Sequence, residues 1–163
     1  MTIPHNLMHL LLAGDTASAE IALSRFLESD AWQLDDLAEL AVQLVPRGHF
    51  LLATQVFAKW TEATPNNPEP WTNLGLCLSR QKRLQDARSV LEYALEINSD
   101  YLPAMNNLGE VYQELGEHDL QMKNCLQAVS KHPNSALAFN NLGSAFVELA
   151  RFAEAKQAFN TCL

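Results

Sequence analysis

A period of thirty-four residues constrains this sequence more than any other feature. The segment MNNLGEVYQELG at 105–116 returns as FNNLGSAFVELA at 139–150, and WTNLGLCLSRQK precedes both at 71–82. Two sets of single positions keep the same step, namely Gly75, Gly109, Gly143 and Leu91, Cys125, Phe159. A fixed period of this length indicates stacked units, each of which forms one supersecondary structure.

The period continues towards the start of the chain without an insertion. Gly14 and Gly48 fall at the place that Gly116 occupies in its own unit, whereas Lys82 and Ala150 hold that place in the other two units. The 163 residues are therefore predicted to form one solenoid domain. Its units are 1–33, 34–67, 68–101, 102–135 and 136–163, and the last unit is incomplete.

Each unit has the pattern of two helices joined by a short turn. In the unit 68–101, Leu74 and Leu78 have helical spacing, and a second helical set begins after a break, at Leu84. Clusters of Asn, Pro, Ser and Asp separate one unit from the next. The sequence therefore predicts an all-α fold with helices near 3–13, 16–28, 34–46, 49–62, 68–81, 84–97, 102–115, 118–131, 136–149 and 152–163.

The repeated residues resemble the tetratricopeptide repeat (TPR) family, whose units have the pattern W-x2-L-G-x2-Y followed by A-x3-F. The unit 68–101 matches it at Trp71, Leu74, Gly75, Leu78, Ala87, Leu91 and Ala94. The unit 102–135 departs from it at Gln121, where a small residue is usual. The resemblance implies a right-handed superhelix in which the first helix of each unit lines a concave face. Small residues such as Gly75 would let two helices approach, and Leu91 would fill the space between neighbouring units.

Asn recurs at one position of these predicted first helices. Asn73, Asn107 and Asn141 are spaced by the repeat, and Asn106 and Asn140 precede two of them. Asn is a mildly poor helix former, so a recurring Asn suggests a use that outweighs the cost. A primary amide both donates and accepts hydrogen bonds, and it can therefore pair with the main chain of an extended peptide. Hydrogen bonds within the solenoid or to water are the open alternative.

The face that the resemblance makes concave supplies the candidate site. Its candidate peptide-binding residues are Asn73, Asn106, Asn107, Asn140, Asn141, Glu69, Thr72, Arg80, Glu110 and Ser144. No cluster of Lys and Arg occupies the inward positions, so the clamp by which some TPR proteins hold acidic C-termini is not expected. The inward carboxylates are Asp35, Glu39, Glu69, Glu110, Glu114 and Glu148, and they favour a neutral or modestly basic peptide, although a solvated acidic face is the plain alternative.

Composition limits the classes of partner and the cellular compartment that are expected for this chain. The net charge of −8 argues against nucleic acid and anionic membranes, because both select for clustered Lys and Arg. No apolar run approaches the roughly 20 residues that span a bilayer. Three Cys without a CxxC pair fit a reducing compartment, so a cytoplasmic location is expected.

No catalytic motif, metal site or cofactor site is predicted, so the chain as given is not expected to be an enzyme. His5 and His9 share a helix face, but they have no further ligand near them in sequence. Cys125 and Cys162 fall at core positions of the repeat and are expected to be buried thiols. Cys77 lies close to the inward face and is less easily placed.

The last unit leaves two further functions open beside peptide binding. Phe146, Leu149, Phe152 and Phe159 would expose an apolar surface if no capping helix followed them. The chain would then be part of a longer protein, or a scaffold that forms a homodimer through 136–163. The Asn row also resembles the TPR arm of O-GlcNAc-transferase-like glycosyltransferases, which implies a substrate-recruiting arm as the first of these alternatives.

Overall fold

The computed structural model describes residues 5–29 and 32–161, and within them the chain is helical, with no strand. The helices are α1 (His5–Leu12), α2 (Thr16–Glu28), α3 (Leu34–Leu44), α4 (Phe50–Ala63), α5 (Pro68–Arg80), α6 (Leu84–Ile97), α7 (Leu102–Leu115), α8 (His118–Lys131), α9 (Ala136–Glu148) and α10 (Phe152–Thr161). The predicted all-α solenoid is confirmed. From α2 onwards, every helix begins within one residue of its predicted start.

The polar clusters between units begin the next helix. The Asn67 side chain accepts a hydrogen bond from the Glu69 backbone N–H (3.1 Å), and Pro68 occupies the first turn of α5. Ser135 caps α9 in the same way, by accepting from the Ala138 N–H (3.2 Å). These caps satisfy backbone donors that have no partner inside the helix, which fixes where each first helix begins.

One backbone turn joins the two helices of every unit. Its central residue has a positive φ in each case: Gly14 (76°), Gly48 (77°), Lys82 (62°), Gly116 (73°) and Ala150 (55°). The following N–H donates to a carbonyl near the helix end, as Glu117 does to Tyr112 (2.9 Å) and Arg151 to Phe146 (2.8 Å). This is a Schellman-type helix ending, which favours Gly because a Cβ is strained in the left-handed region.

The two helices of a unit approach each other closely at a Gly of the first helix, which has no side chain to separate them. A Cβ built on Gly75 would lie 2.5 Å from the Leu91 Cγ, and a Cβ on Gly143 would overlap the Phe159 ring. Leu91 therefore packs against Gly75 of its own unit. Its packing between neighbouring units stays a prediction. At Gly109 the nearest atom is the Asn124 amide nitrogen, 3.2 Å from the added Cβ.

Successive units pack together through buried apolar side chains. One cluster of buried side chains extends from Leu7 of α1 to Tyr112 of α7, and a second joins α8, α9 and α10 around Phe146. The first helices also touch directly, because α5 contacts α7 and α7 contacts α9. The exposed sides of α3, α5, α7 and α9 together form one surface, which we call the first-helix face.

Replacing Ala150 with Gly should stabilise the protein. The left-handed conformation costs an L-residue about 1–2 kcal/mol, and part of this gain is offset by the greater freedom of Gly in the unfolded chain. We expect the free energy of unfolding to rise by about 0.5–1 kcal/mol in urea denaturation. The control Ala153→Gly, at an exposed position in the first turn of α10, should lower it, because no left-handed backbone is relieved there to offset the greater freedom of Gly in the unfolded chain. Equal losses at both positions would contradict the role of the turn.

Gly75→Ala and Gly109→Ala should change the stability of the protein by different amounts, although both remove a repeated Gly. Ala is the better helix former by about 1 kcal/mol, but at Gly75 its methyl group must displace Leu91, and overpacking costs about 1–3 kcal/mol. We expect a larger net loss of stability for Gly75→Ala than for Gly109→Ala, since an added Cβ would lie 2.5 Å from Leu91 in the first case and 3.2 Å from the Asn124 amide nitrogen in the second. Thermal melts measure the difference, and matching melting temperatures would refute it.

Candidate binding face

All of the predicted site residues lie on the first-helix face or just beneath it. They come from three helices: Glu69, Thr72, Asn73 and Arg80 from α5, Asn106, Asn107 and Glu110 from α7, and Asn140, Asn141 and Ser144 from α9. The repeat brings equivalent positions of these helices side by side. The structure therefore gathers the predicted residues on neighbouring helices, and their side chains differ in exposure and bonding.

Polar side chains bridge neighbouring first helices across this face. The bridges are Arg80 to Glu110 (3.7 Å), Lys82 to Glu114 (2.8 Å) and Gln113 to Glu148 (3.0 Å). Two of the carboxylates that were expected to give the face its acidic character, Glu110 and Glu114, are thus paired with cations, whereas Glu148 bonds to a neutral amide and keeps its charge. Asp35, Glu39 and Glu69 have no ion pair or side-chain hydrogen bond with any described residue, so most of the uncompensated negative charge lies towards α3 and the start of α5.

The repeated Asn side chains fall into two kinds. The Asn141 Nδ2 donates a hydrogen bond to the Asn106 Oδ1 (2.9 Å), and Asn106 is only 9% exposed, so this pair is bonded within the solenoid. Asn73 and Asn107 are half-buried, and their amides bond to no other described residue. Asn140 is exposed and likewise has a free amide.

The two hydroxyl groups of the predicted site bond to their own helices. Thr72 is buried, and its Oγ1 donates to the Pro68 carbonyl (2.8 Å), which leaves it out of reach of a ligand on the surface. The Ser144 Oγ donates to the Asn140 carbonyl (3.1 Å). Hydroxyl groups in helices often bond to the preceding turn in this way, and sequence periodicity does not reveal it.

Two polar residues of α8, Asn124 and Gln121, are buried, and the repeat pattern did not predict the surroundings of either. The Asn124 Nδ2 donates to the Met105 carbonyl (2.7 Å) next to Gly109, and this contact fixes α8 against α7. Gln121, noted from the sequence as a departure from the repeat, is 2% exposed, and its Oε1 has no hydrogen-bond partner among the described residues. Nothing in the sequence signalled the Asn124 bond, because it depends on a backbone carbonyl.

The described residues hold no cluster suited to metal binding or to thiol chemistry. They contain no group of three His, Cys, Asp or Glu side chains that could hold a metal ion. Burial raises the pKa of the Cys77 thiol to about 12 and that of Cys125 to about 11. A thiol with so high a pKa is a poor nucleophile near neutral pH. The side chain of His5 and all of Cys162 lie outside the described residues.

The apolar residues of the last unit are less exposed than the sequence suggested. Phe146 is buried and Phe159 half-buried, whereas Phe152 is 66% exposed. The apolar surface that was expected to be exposed is thus limited to Phe152 and its surroundings. The homodimer through 136–163 stays a prediction. None of the described helices is both long and apolar enough to cross a bilayer.

Family models of the tetratricopeptide repeat match three stretches of the sequence, at 56–89, 102–130 and 136–163. The chain belongs to the tetratricopeptide repeat family. These stretches overlap the helices α4 to α10, including the three helices that carry the predicted site.

Two solved structures align with nearly the whole of this chain. The structure of MamA aligns with a TM-score of 0.75 at 24% identity, covering 99% of this chain and 93% of that one. A thermophilic TPR protein of Thermus thermophilus aligns with a TM-score of 0.74 at 22% identity, covering 96% of this chain and 86% of that one. At these identities the likeness establishes the fold of this TPR protein.

A curated relative is similar over a shorter length. The probable assembly chaperone of rpl4 from Emericella nidulans is 39% identical over 74 residues, which make up 42% of this chain. The match covers 19% of that relative, so this TPR chain corresponds to a small part of it.

Asn141→Ala should destabilise the protein more than Asn140→Ala. The two changes gain the same helix propensity, but only the first breaks the bond to Asn106 and leaves a nearly buried amide oxygen without its donor. An unsatisfied buried group costs about 1–3 kcal/mol, so we expect a difference of about 1 kcal/mol between the two variants. Urea denaturation measures it. Equal stabilities would show that the bond contributes nothing in solution.

Proposed function

We propose that this TPR protein binds an extended segment of a partner protein across its first-helix face. The observation that carries the proposal is the pair of half-buried amides on Asn73 and Asn107, which lack hydrogen-bond partners among the described residues. Neighbouring polar groups on the same face are joined to one another, as Asn106 is to Asn141. Neither amide is among the described side-chain atoms that are both buried and unpaired, so water can reach them in the free protein, and a ligand's donor and acceptor would take the place of that water.

The spacing of these amides suits a peptide main chain. Packed helices lie about 8–10 Å apart, and an extended chain advances about 3.3 Å per residue. Asn73 and Asn107 would therefore meet backbone groups about three residues apart, whatever side chains the segment carries. Recognition of this kind favours flexible segments over folded surfaces, because only an unpaired backbone offers free N–H and C=O groups.

Charge favours a basic segment. The protein has a net charge of −8, and the free carboxylates Asp35, Glu39 and Glu69 lie on the first-helix face. Complementary charge of this kind speeds association and selects between partners more than it adds affinity. The relative named as a probable assembly chaperone of rpl4 supports the idea of a client protein held during assembly. We include such client binding in the proposal.

Asn107→Ala and Asn73→Ala should weaken peptide binding while leaving the fold intact. The probes are three fluorescent peptides of about fifteen residues that differ only in carrying Lys, Gln or Glu, long enough at roughly 3.3 Å per residue to cross the face. We expect the Lys peptide to bind best, and each Asn change to weaken it about three- to tenfold, as the loss of one hydrogen bond implies. Fluorescence anisotropy measures the affinity.

The control is Asn160→Ala, which removes an exposed amide from α10, away from the first-helix face. It should bind the Lys peptide as the unchanged protein does. The proposal fails if Asn107→Ala binds equally well, or if its main effect is a lower melting temperature, since the amide would then serve the fold.

A further inference from the structure

The first-helix face contains an apolar pocket at the end where its free carboxylates lie. A cavity of about 340 Å³ opens to solvent between α3, α4 and α5. Val42 and Val45 of α3 form one wall, and Phe57 and Trp60 of α4, stacked with ring centroids 6.1 Å apart, also line the cavity. Val42 remains 70% exposed, so the pocket presents apolar surface that no described residue covers.

The sequence of α3 explains why the pocket forms there. At the positions where α7 carries Asn106, Glu110 and Gln113, α3 carries Ala38, Val42 and Val45. The α7 side chains bridge to the neighbouring first helices, whereas no polar side-chain bond joins α3 to α5. Small and β-branched apolar residues cannot close the gap in this way, and the space between the two helices stays open.

Polar groups from α5 complete the pocket. Glu69 and Asn73 line it together with the apolar side chains, and the Asn73 amide has no partner among the described residues. The pocket therefore lies directly beside the proposed amide row, at its α3 end. Two carboxylates of α3, Asp35 and Glu39, are exposed, and neither is paired with a described residue.

We propose that this pocket anchors a bulky apolar side chain of the bound segment, with a Lys or Arg next to it in the segment's sequence. The proposal rests on the proposed function and adds the chemistry of the partner. An aliphatic or aromatic side chain would pack on Val42 and Trp60, which removes apolar surface from water. The neighbouring cation would lie among Glu69, Glu39 and Asp35. The Asn73 amide would bind the main chain of the anchored residue, and Asn107 would bind it further along.

The pocket would determine the register of the bound segment, which main-chain contacts alone leave undetermined. Amides that bind only backbone groups accept any register of the segment, because every residue offers the same N–H and C=O. One side-chain pocket at the end of the row selects a single register, and it does so through a residue type that is rare in flexible basic segments. Specificity would thus arise at α3 and affinity along α5 and α7.

The test uses the full chain and a peptide of about fifteen residues made of Gly, Ser and Lys with one central Leu. Two further peptides replace the Leu with Ala, or every Lys with Glu. The protein variant Val42→Gln changes a largely exposed residue, so it should fold and melt as the unchanged protein does. Its matched control is Val147→Gln, which changes an exposed Val of α9 on the same face.

We expect the Leu peptide to bind at least about tenfold more tightly than the Ala peptide, as a filled apolar pocket implies. Val42→Gln should remove most of this preference, whereas Val147→Gln should leave it unchanged. The indole N–H signal of Trp60 in the NMR spectrum should shift with the Leu peptide and not with the Ala peptide. The Glu peptide should bind more weakly than either.

The outcomes separate the anchor from the amide row. If the Leu and Ala peptides bind alike while Asn107→Ala weakens both, the anchor is wrong and the proposed function stands. If the Leu preference depends on Val42 but Asn107→Ala changes nothing, the pocket binds and the amide row does not. Binding of none of the peptides overturns both proposals. A dimer in sedimentation velocity that Val42→Gln abolishes would show that a second copy occupies the pocket, which also overturns the anchor.

Discussion

The close approach of the two helices within a unit is the contact on which the rest of the structure depends. It exists because Gly75 and Gly143 leave space for Leu91 and Phe159, which occupy the place that a Cβ would take. Interiors are packed at nearly crystalline density, so a contact of this kind fixes both the distance and the rotation of the two helices. Repetition of one unit shape then brings α5, α7 and α9 side by side, and this arrangement creates the first-helix face.

The character of that face changes along its length because the same positions carry different residues. In the middle and towards α9, polar side chains such as Glu110 and Gln113 bond to side chains of neighbouring units. Towards α3 the equivalent residues are Val42 and Val45, and the carboxylates nearby are unpaired. A single architecture thus produces a bonded surface at one end and an open apolar surface edged with negative charge at the other.

Sequence periodicity was sufficient to predict the helices, since a constant step and capping residues such as Asn67 determine where each helix begins. It also located the turn shared by all units, although the left-handed backbone at Lys82 and Ala150 could be seen only in the structure. The same periodicity placed the Asn residues on one surface. It could not show that Asn141 bonds to Asn106, because two identical residue types at neighbouring positions have several rotamers and partners available.

The pocket could not be predicted from the sequence, for a related reason. It is a gap between helices, and its existence depends on which side chains fail to reach each other. Ala38, Val42 and Val45 occupy the repeat positions of Asn106, Glu110 and Gln113, but equivalent repeat positions do not give the distance between α3 and α5. The burial of Thr72 was likewise set by its bond to Pro68 and not by its place in the repeat.

The bridges across the first-helix face join side chains that are partly in water, as Lys82 and Glu114 do, whereas the units are held together by buried apolar packing. Exposed ion pairs contribute little to stability and are screened by dissolved salt. The contacts along this face are therefore weaker than those through the interior. A change in the curvature of the stacked units would break the exposed ion pairs before it disturbed the buried apolar contacts.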